Sequence, residues 1–426
     1  MARGRARNKR EIDMLHGLIW TKVLRYALPV GATGILEQLF NASGIMIVGN
    51  FSRGDGTAAV AAVGSNAPVA GLILNLFIGI ALGANVVIAN AIGRGSRDAV
   101  RKAVRTSIVT ALVGGVIVAI IGELLAGPLL DMLNVTDEVF PLALTYLRIY
   151  LIGMPVILLY NFETAIFRSV GDTQAPLAVL AISGVLNVTM GLILVVLFHL
   201  DVSGVAAATV IANVVSSMIL LYRLTHTDAV IRVDLHELGV DLLTLRQILR
   251  IGLPAGVQSA VFAVANIIIQ AAINSLGTVV MATSSVAFNI EIIAYYVLNS
   301  FSQACATFTG QNYGARQIRR CRRVLGVCIL EDFIATAATI AVVLFFGRGL
   351  LALLTPLLKS SRSATPDSSW CSPPTRSACC TKSCPVTCAV SASPWCRRCS
   401  PWSAWSACAS PGSDTCFLCT APSKRS

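Results

Sequence analysis

Between residues 23 and 347 the chain is a succession of long apolar runs separated by short polar breaks. A helix rises about 1.5 Å per residue, so a run near 20 residues crosses a hydrocarbon layer of about 30 Å. No water in that layer pairs exposed backbone groups, so helices are the expected solution. The runs predict nine spans, over 23–49, 58–84, 106–127, 139–164, 176–198, 203–223, 250–276, 279–305 and 324–347. The segment "LLALLTP" at 350–356 reads as the start of a tenth. Of the 426 residues 55% are hydrophobic and 13% charged, about half the charge a soluble domain carries. The fold class expected is all-α, a polytopic membrane protein.

The net charge of +12 raises nucleic acid as a partner, but its distribution argues for a bilayer. Arg3, Arg5, Arg7, Lys9, Arg10, Lys22 and Arg25 precede or open the first span, and the loops "GRGSRDAVRKAVR" and "GARQIRRCRR" follow the second and eighth. On the opposite side stand Arg53, Arg148 and Arg348. This alternation is the positive-inside pattern, which puts the N-terminus in the cytoplasm. The first apolar run is too long for a cleavable signal and lacks a small-residue cleavage site. The expected location is the cytoplasmic membrane of a bacterium, with no nucleic-acid partner.

The stretch "VLRYALPVG" (23–31) returns as "ILRIGLPAG" (248–256). An offset of 225 pairs Leu24 with Leu249, Arg25 with Arg250, Pro29 with Pro254, Gly31 with Gly256 and Asn41 with Asn266. Further along, "VVIANAIGRGSRDAVRKAVR" resembles "TFTGQNYGARQIRRCRRVLG", with Gly93 opposite Gly314. Six spans separate the copies, so both begin on the same side and the repeat is parallel. Parallel repeats are a recurring build of secondary transporters, whose sites lie between the halves.

"FRSVGDTQAPL" (167–177) after "YLRIYLIGMPVILLYNFETAI" (146–166), the second copy "ILRIGLPAGVQSAVFAVANIIIQAAINSLG", and "SFSQACATFTGQNYGARQ" together resemble the multidrug and toxic compound extrusion (MATE) transporters over about residues 15–356. The resemblance implies twelve helices in two six-helix lobes, of which about nine to ten spans are present here. It also implies export of amphipathic or cationic drugs by a monomer in exchange for sodium or protons, and no enzyme activity. Residues 1–22 then form a basic cytoplasmic N-terminus, 23–224 the first lobe, 225–247 a cytoplasmic linker and 248–356 a shortened second lobe.

Polar groups at membrane depth are costly and usually face a cavity or one another. Thr33, Glu37 and Asn41 fall at four-residue steps on one stripe of span 1, with Gln38 beside them. Gln258, Asn266 and Gln270 make a comparable stripe in span 7. Glu37 is the leading coupling group: an apolar bundle disfavours an ionised carboxyl and suits it to carry a proton, while amide oxygens beside the ionised form suit sodium. A Glu hydrogen-bonded for packing, or one near the helix end, is the alternative. Asn187 and Glu291 match family positions, and Glu291 with Asn289 and the pair Tyr295–Tyr296 would attract an organic cation; an interfacial Glu in an aromatic belt is the alternative. Gly44 and Gly191 stand where many relatives carry an Asp or another polar residue, so the acidic pair of the first lobe is incomplete. Glu331 and Asp332 read as snorkelling to the interface.

No P-loop is present, and His16, His199, His226 and His236 fall in loops or ends, so neither ATP nor a metal cofactor is expected. Beyond about residue 357 the composition changes to Ser, Cys, Trp and Pro. Cys396, Cys399, Cys416 and Cys419 have zinc-like spacing, but cysteine is dense enough there for chance to supply it. The segment 357–426 is expected to be a disordered, out-of-frame tail replacing spans 10–12, which would leave a non-functional membrane fragment. A lipid-linked saccharide flippase of the same superfamily is the other alternative, disfavoured because the spans carry carboxylates and amides rather than arginines. If the frame has shifted, translating the other frames after codon 356 reveals three helix-length apolar runs; their absence from both frames removes the explanation.

Overall fold

The computed structural model describes residues 11–52, 56–133, 135–234, 237–274 and 278–360. These form α1 (Ile19–Phe51), α2 (Gly56–Gly93), α3 (Arg97–Met132), α4 (Phe140–Ile152), α5 (Met154–Ser169), α6 (Gln174–Val196), α7 (Asp201–His226), α8 (Leu242–Asn274), α9 (Thr278–Gly314) and α10 (Ile318–Ser360). No strand occurs among the described residues. Five helices, α2, α3, α6, α7 and α8, are long and apolar enough to cross a bilayer, and α4 with α5 makes a sixth span bent by 51°. The remaining long helices α1, α9 and α10 are not among them.

The bend has a local cause. Gly153 ends α4, and Pro155 at the start of α5 has no N–H to continue the ladder. A Cβ added at Gly115 of α3 would fall on the Pro155 backbone, so α3 packs tightly on the kink. The motif "FRSVGDTQAPL" is likewise a turn. Gly171 takes φ +87°, open to glycine at no steric cost, and Asp172 Oδ1 accepts the Ala175 N–H at 3.0 Å, capping α6. Asp241 caps α8 in the same way, its Oδ2 accepting from the Thr244 hydroxyl and from the Thr244 N–H at 3.0 Å; these two bonds hold its carboxyl below the usual range.

Two results depart from the apolar-run reading. α10 continues unbroken through 350–356, so that segment extends the ninth span rather than opening a tenth. Isolated glycines such as Gly347 and Gly349 cost a helix only about 1 kcal/mol each, too little to stop it. Glu331 is 2% exposed and does not snorkel. The tail beyond residue 360 lies outside the described residues.

The repeat is visible as paired contacts. Gly31 of α1 faces Ser300 of α9, and its counterpart Gly256 of α8 sits against Gly79 of α2. A Cβ on Gly93 would fall on the Gln311 carbonyl of α9, and a Cβ on Gly314 would fall on the Asn90 carbonyl of α2. The two copies therefore meet through equivalent surfaces, with α2 and α9 ending side by side at the basic loops. Along α2 and α8 the contact is backbone on backbone: an added Cβ on Gly83 would lie 2.7 Å from Gly252 Cα. Three apolar clusters fill the rest. One lies within the first copy, a second extends from the first copy through Ile231 and Val233 to Ile248 of α8, and the third joins Tyr26 of α1 to Phe301, Ala304 and Phe308 of α9 and Val324 of α10.

Gly83→Leu should force α2 from α8 and cost about 1–3 kcal/mol, the usual penalty for overpacking, read as a lower melting temperature in detergent. Gly64, with no neighbour within 4 Å, should accept Ala with unchanged or higher stability.

Candidate functional site

Glu37 is half-buried on the inner side of α1. Within electrostatic reach stand Tyr150 of α4, Tyr160 and Arg168 of α5, and Tyr296 of α9. The α9 tyrosine arrives because Gly34 has no side chain: a Cβ there would collide with the Tyr296 ring. Tyr296 stacks edge-on against Tyr295 at 5.9 Å. Thr33, one turn before Glu37, is buried and donates to the Pro29 carbonyl at 2.8 Å.

Sequence reasoning missed a second carboxyl. Glu163 of α5 is 0% exposed, and among the described residues the Ser217 hydroxyl of α7 is the one side chain placed to bond its otherwise open oxygens. Tyr160, one turn away on α5, is within reach of both Glu163 and Glu37. The hydroxyls of Tyr160 and Thr164 stand beside each other with no further partner among the described residues. The first copy thus brings two carboxyls, Glu37 and Glu163, within reach of the Tyr160 hydroxyl. The signal was available: a Glu within a span. The span read to 164 put it at an interface, whereas α5 continues to Ser169.

The other candidates are dispersed. Gln38 is half-buried and Asn41 exposed. Asn187 of α6 is half-buried, close to the place where Phe40 of α1 fills the space over Gly184. In the second copy Gln258, Asn266 and Glu291 are exposed; the side chains of Gln270 and Asn289 lie outside the described residues. The space at Gly44 and Gly191 is apolar, bounded by Val205, and by Ile47 and Ala208. No group of three or more His, Cys, Asp or Glu among the described residues could hold a metal ion.

Residues 29–193 and 254–361 match the MatE family profile, two blocks that take in both copies of the repeat. The chain belongs to the MatE family. It is 26% identical over 342 residues to "Probable multidrug resistance protein YoeA" of Bacillus subtilis (strain 168), covering 79% of this chain and 73% of that protein. It is 22% identical over 321 residues to the "FAD transporter" of Shewanella oneidensis, covering 73% and 70%. Among solved structures, "Crystal structure of MATE in complex with MaL6" superposes with a TM-score of 0.76 at 23% identity, covering 83% of this chain and 78% of that one. "Outward-facing conformation of a multidrug resistance MATE family transporter of the MOP superfamily" gives 0.74 at 23%, covering 82% and 76%. MatE proteins are multi-pass membrane transporters, not enzymes, and the two-copy helical bundle is their fold.

A buried carboxyl with most of its hydrogen-bonding capacity open lowers stability, so Glu163→Met should raise the unfolding free energy of this MatE protein by about 1–3 kcal/mol. Denaturant titration in detergent micelles checks it; destabilisation would mean that Glu163 has an uncounted structural partner.

Proposed function

We propose that this MatE protein exports amphipathic or cationic drugs in exchange for a proton or sodium ion, by alternating access between its two halves. The reading rests chiefly on Glu163, a wholly buried carboxyl with only the Ser217 hydroxyl to bond it among the described residues, joined to Glu37 through Tyr160, which lies within reach of both. A group at that depth must be neutralised or paired with a cation, and two carboxyls near each other let a small ion and an organic cation compete for the same charge. Tyr296 brings an aromatic face from the second half to Glu37, where carboxylate and π-face together favour a cationic cargo. The multidrug names among relatives fit this cargo. The dinucleotide named for another would bring phosphates to a site that holds two carboxyls. The basic loops support a cytoplasmic N-terminus, and export as the direction follows from the multidrug names among relatives.

The test is ethidium efflux from cells carrying the gene with its frame restored after codon 356. Glu37→Gln and Glu163→Gln should each lower efflux at least tenfold. Imposed pH and sodium gradients in everted vesicles identify the coupling ion. Full efflux in both variants defeats the assignment.

A further inference from the structure

Three side chains of α9 that the cargo site does not use reach across to the first half of the molecule. Gln303, Thr307 and Gln311 stand at four-residue intervals and so share one face of the helix. Arg168 Nη1 of α5 donates to Gln303 Oε1 at 2.8 Å, and Gln311 Nε2 donates to the Ser169 carbonyl at 2.7 Å.

Thr307 is the centre of the arrangement. It is 0% exposed, 2.9 Å from the Tyr26 hydroxyl of α1 and 2.8 Å from Asn85 Oδ1 of α2. Its hydroxyl has a single proton, directed to Asn85 Oδ1 and to the Gln303 carbonyl at 2.9 Å; Tyr26 is therefore the donor to Thr307 Oγ1. Asn85 Nδ2 in turn donates to the Ala165 carbonyl of α5 at 3.0 Å. One directional chain of hydrogen bonds joins α1, α9, α2 and α5, and Thr307 is its one member from the second copy.

The N-terminal segment lies over the same end. The Met14 carbonyl accepts from Asn312 Nδ2 at 3.1 Å and Arg320 Nε at 3.3 Å, and the Gly17 carbonyl accepts from Arg320 Nη2 at 3.0 Å. Gly171 of the α5–α6 turn meets the same segment at Ile12. The strap thus touches both halves where they close.

We propose that this α9 stripe is the gate at the basic end of the transport path, and that Thr307 is the positioning residue that holds it shut. Opening the cargo site to the basic side requires Thr307 to release Tyr26 and Asn85 together. The gate rests on the alternating-access reading, but its test does not depend on export.

Hydrogen exchange of the full chain in lipid nanodiscs, read by mass spectrometry, follows peptides over 83–94 and 303–315. Thr307→Val, which keeps the shape and removes the hydroxyl, should speed exchange there roughly tenfold or more, the factor that about 1.4 kcal/mol produces. Peptides from α4 should be unchanged, and Thr307→Ser should behave as the native protein. Unchanged exchange in Thr307→Val overturns the gate, as does a Ser variant as fast as the Val variant, because the methyl packing would then be responsible. Should Thr307→Val exchange throughout and prove unfolded, Tyr26→Phe carries the same expectation and the same refutation. Normal efflux with unchanged exchange sinks the gate alone; accelerated exchange in a protein that never exports sinks the export reading alone.

Discussion

A polar group carried to the middle of a hydrocarbon layer has to find its partner inside the protein. Most polar groups here do so within their own helix. Thr33, Ser107, Thr110 and Asn161 each return to a carbonyl four residues back, a local bond that lets a polar residue sit anywhere along a span. Asn66 and Asn85 reach further, each donating to a carbonyl of a neighbouring helix. Among the described residues Glu163 has only the Ser217 hydroxyl to bond it, and Glu331 of α10 is likewise buried with both oxygens open. A buried carboxyl with so much open hydrogen-bonding capacity is a place that can hold something other than protein.

The duplication explains why the halves meet as they do. Two copies facing each other about a shared axis must present equivalent residues, hence Gly93 on Gln311 and Gly314 on Asn90. Equivalence of position does not impose equivalence of chemistry. Gly79 and Gly256 bring α2 and α8 together backbone to backbone, while Ser300 and Gly31, the corresponding pair, keep a side chain between α9 and α1. The first seam is thin and apolar; the second has room for Tyr296 above and the Tyr26–Thr307–Asn85 chain below.

Hydropathy located the spans because the apolar run and the helix coincide in the membrane interior, and Glu37 was legible because a carboxyl in such a run stands out. Helices end later than runs do. Span 8 read to residue 305, yet α9 continues to Gly314, and the overhang carries Thr307 and Gln311 into the other half. Glu163 was lost for the same reason, at the end of a run whose helix continues. Pairing across the halves has no signature in a single chain: nothing local to Asn85 announces Thr307, 222 positions away. The bend between α4 and α5 was written in Gly153 and Pro155, but its direction depends on Gly115 of α3.

The two seams differ in what opening them costs. Apolar helix contacts gain little over contact with lipid tails, so in a bilayer close van der Waals packing and hydrogen bonds decide which surfaces stay together. The α2–α8 seam consists of the former: once separated, its glycines lose packing that lipid cannot replace, because no side chain projects to be solvated. The α9 seam consists of the latter, at the end nearest water. Tyr26, Asn85, Thr307 and Gln311 lose their partners on opening, but water entering from the basic side supplies new ones, and exchanging one hydrogen bond for another changes the free energy by only about 0.5–1.5 kcal/mol. A motion that must reverse in every cycle is best placed at the seam where the open state is also satisfied. The glycine seam is suited to be the axis about which that motion turns.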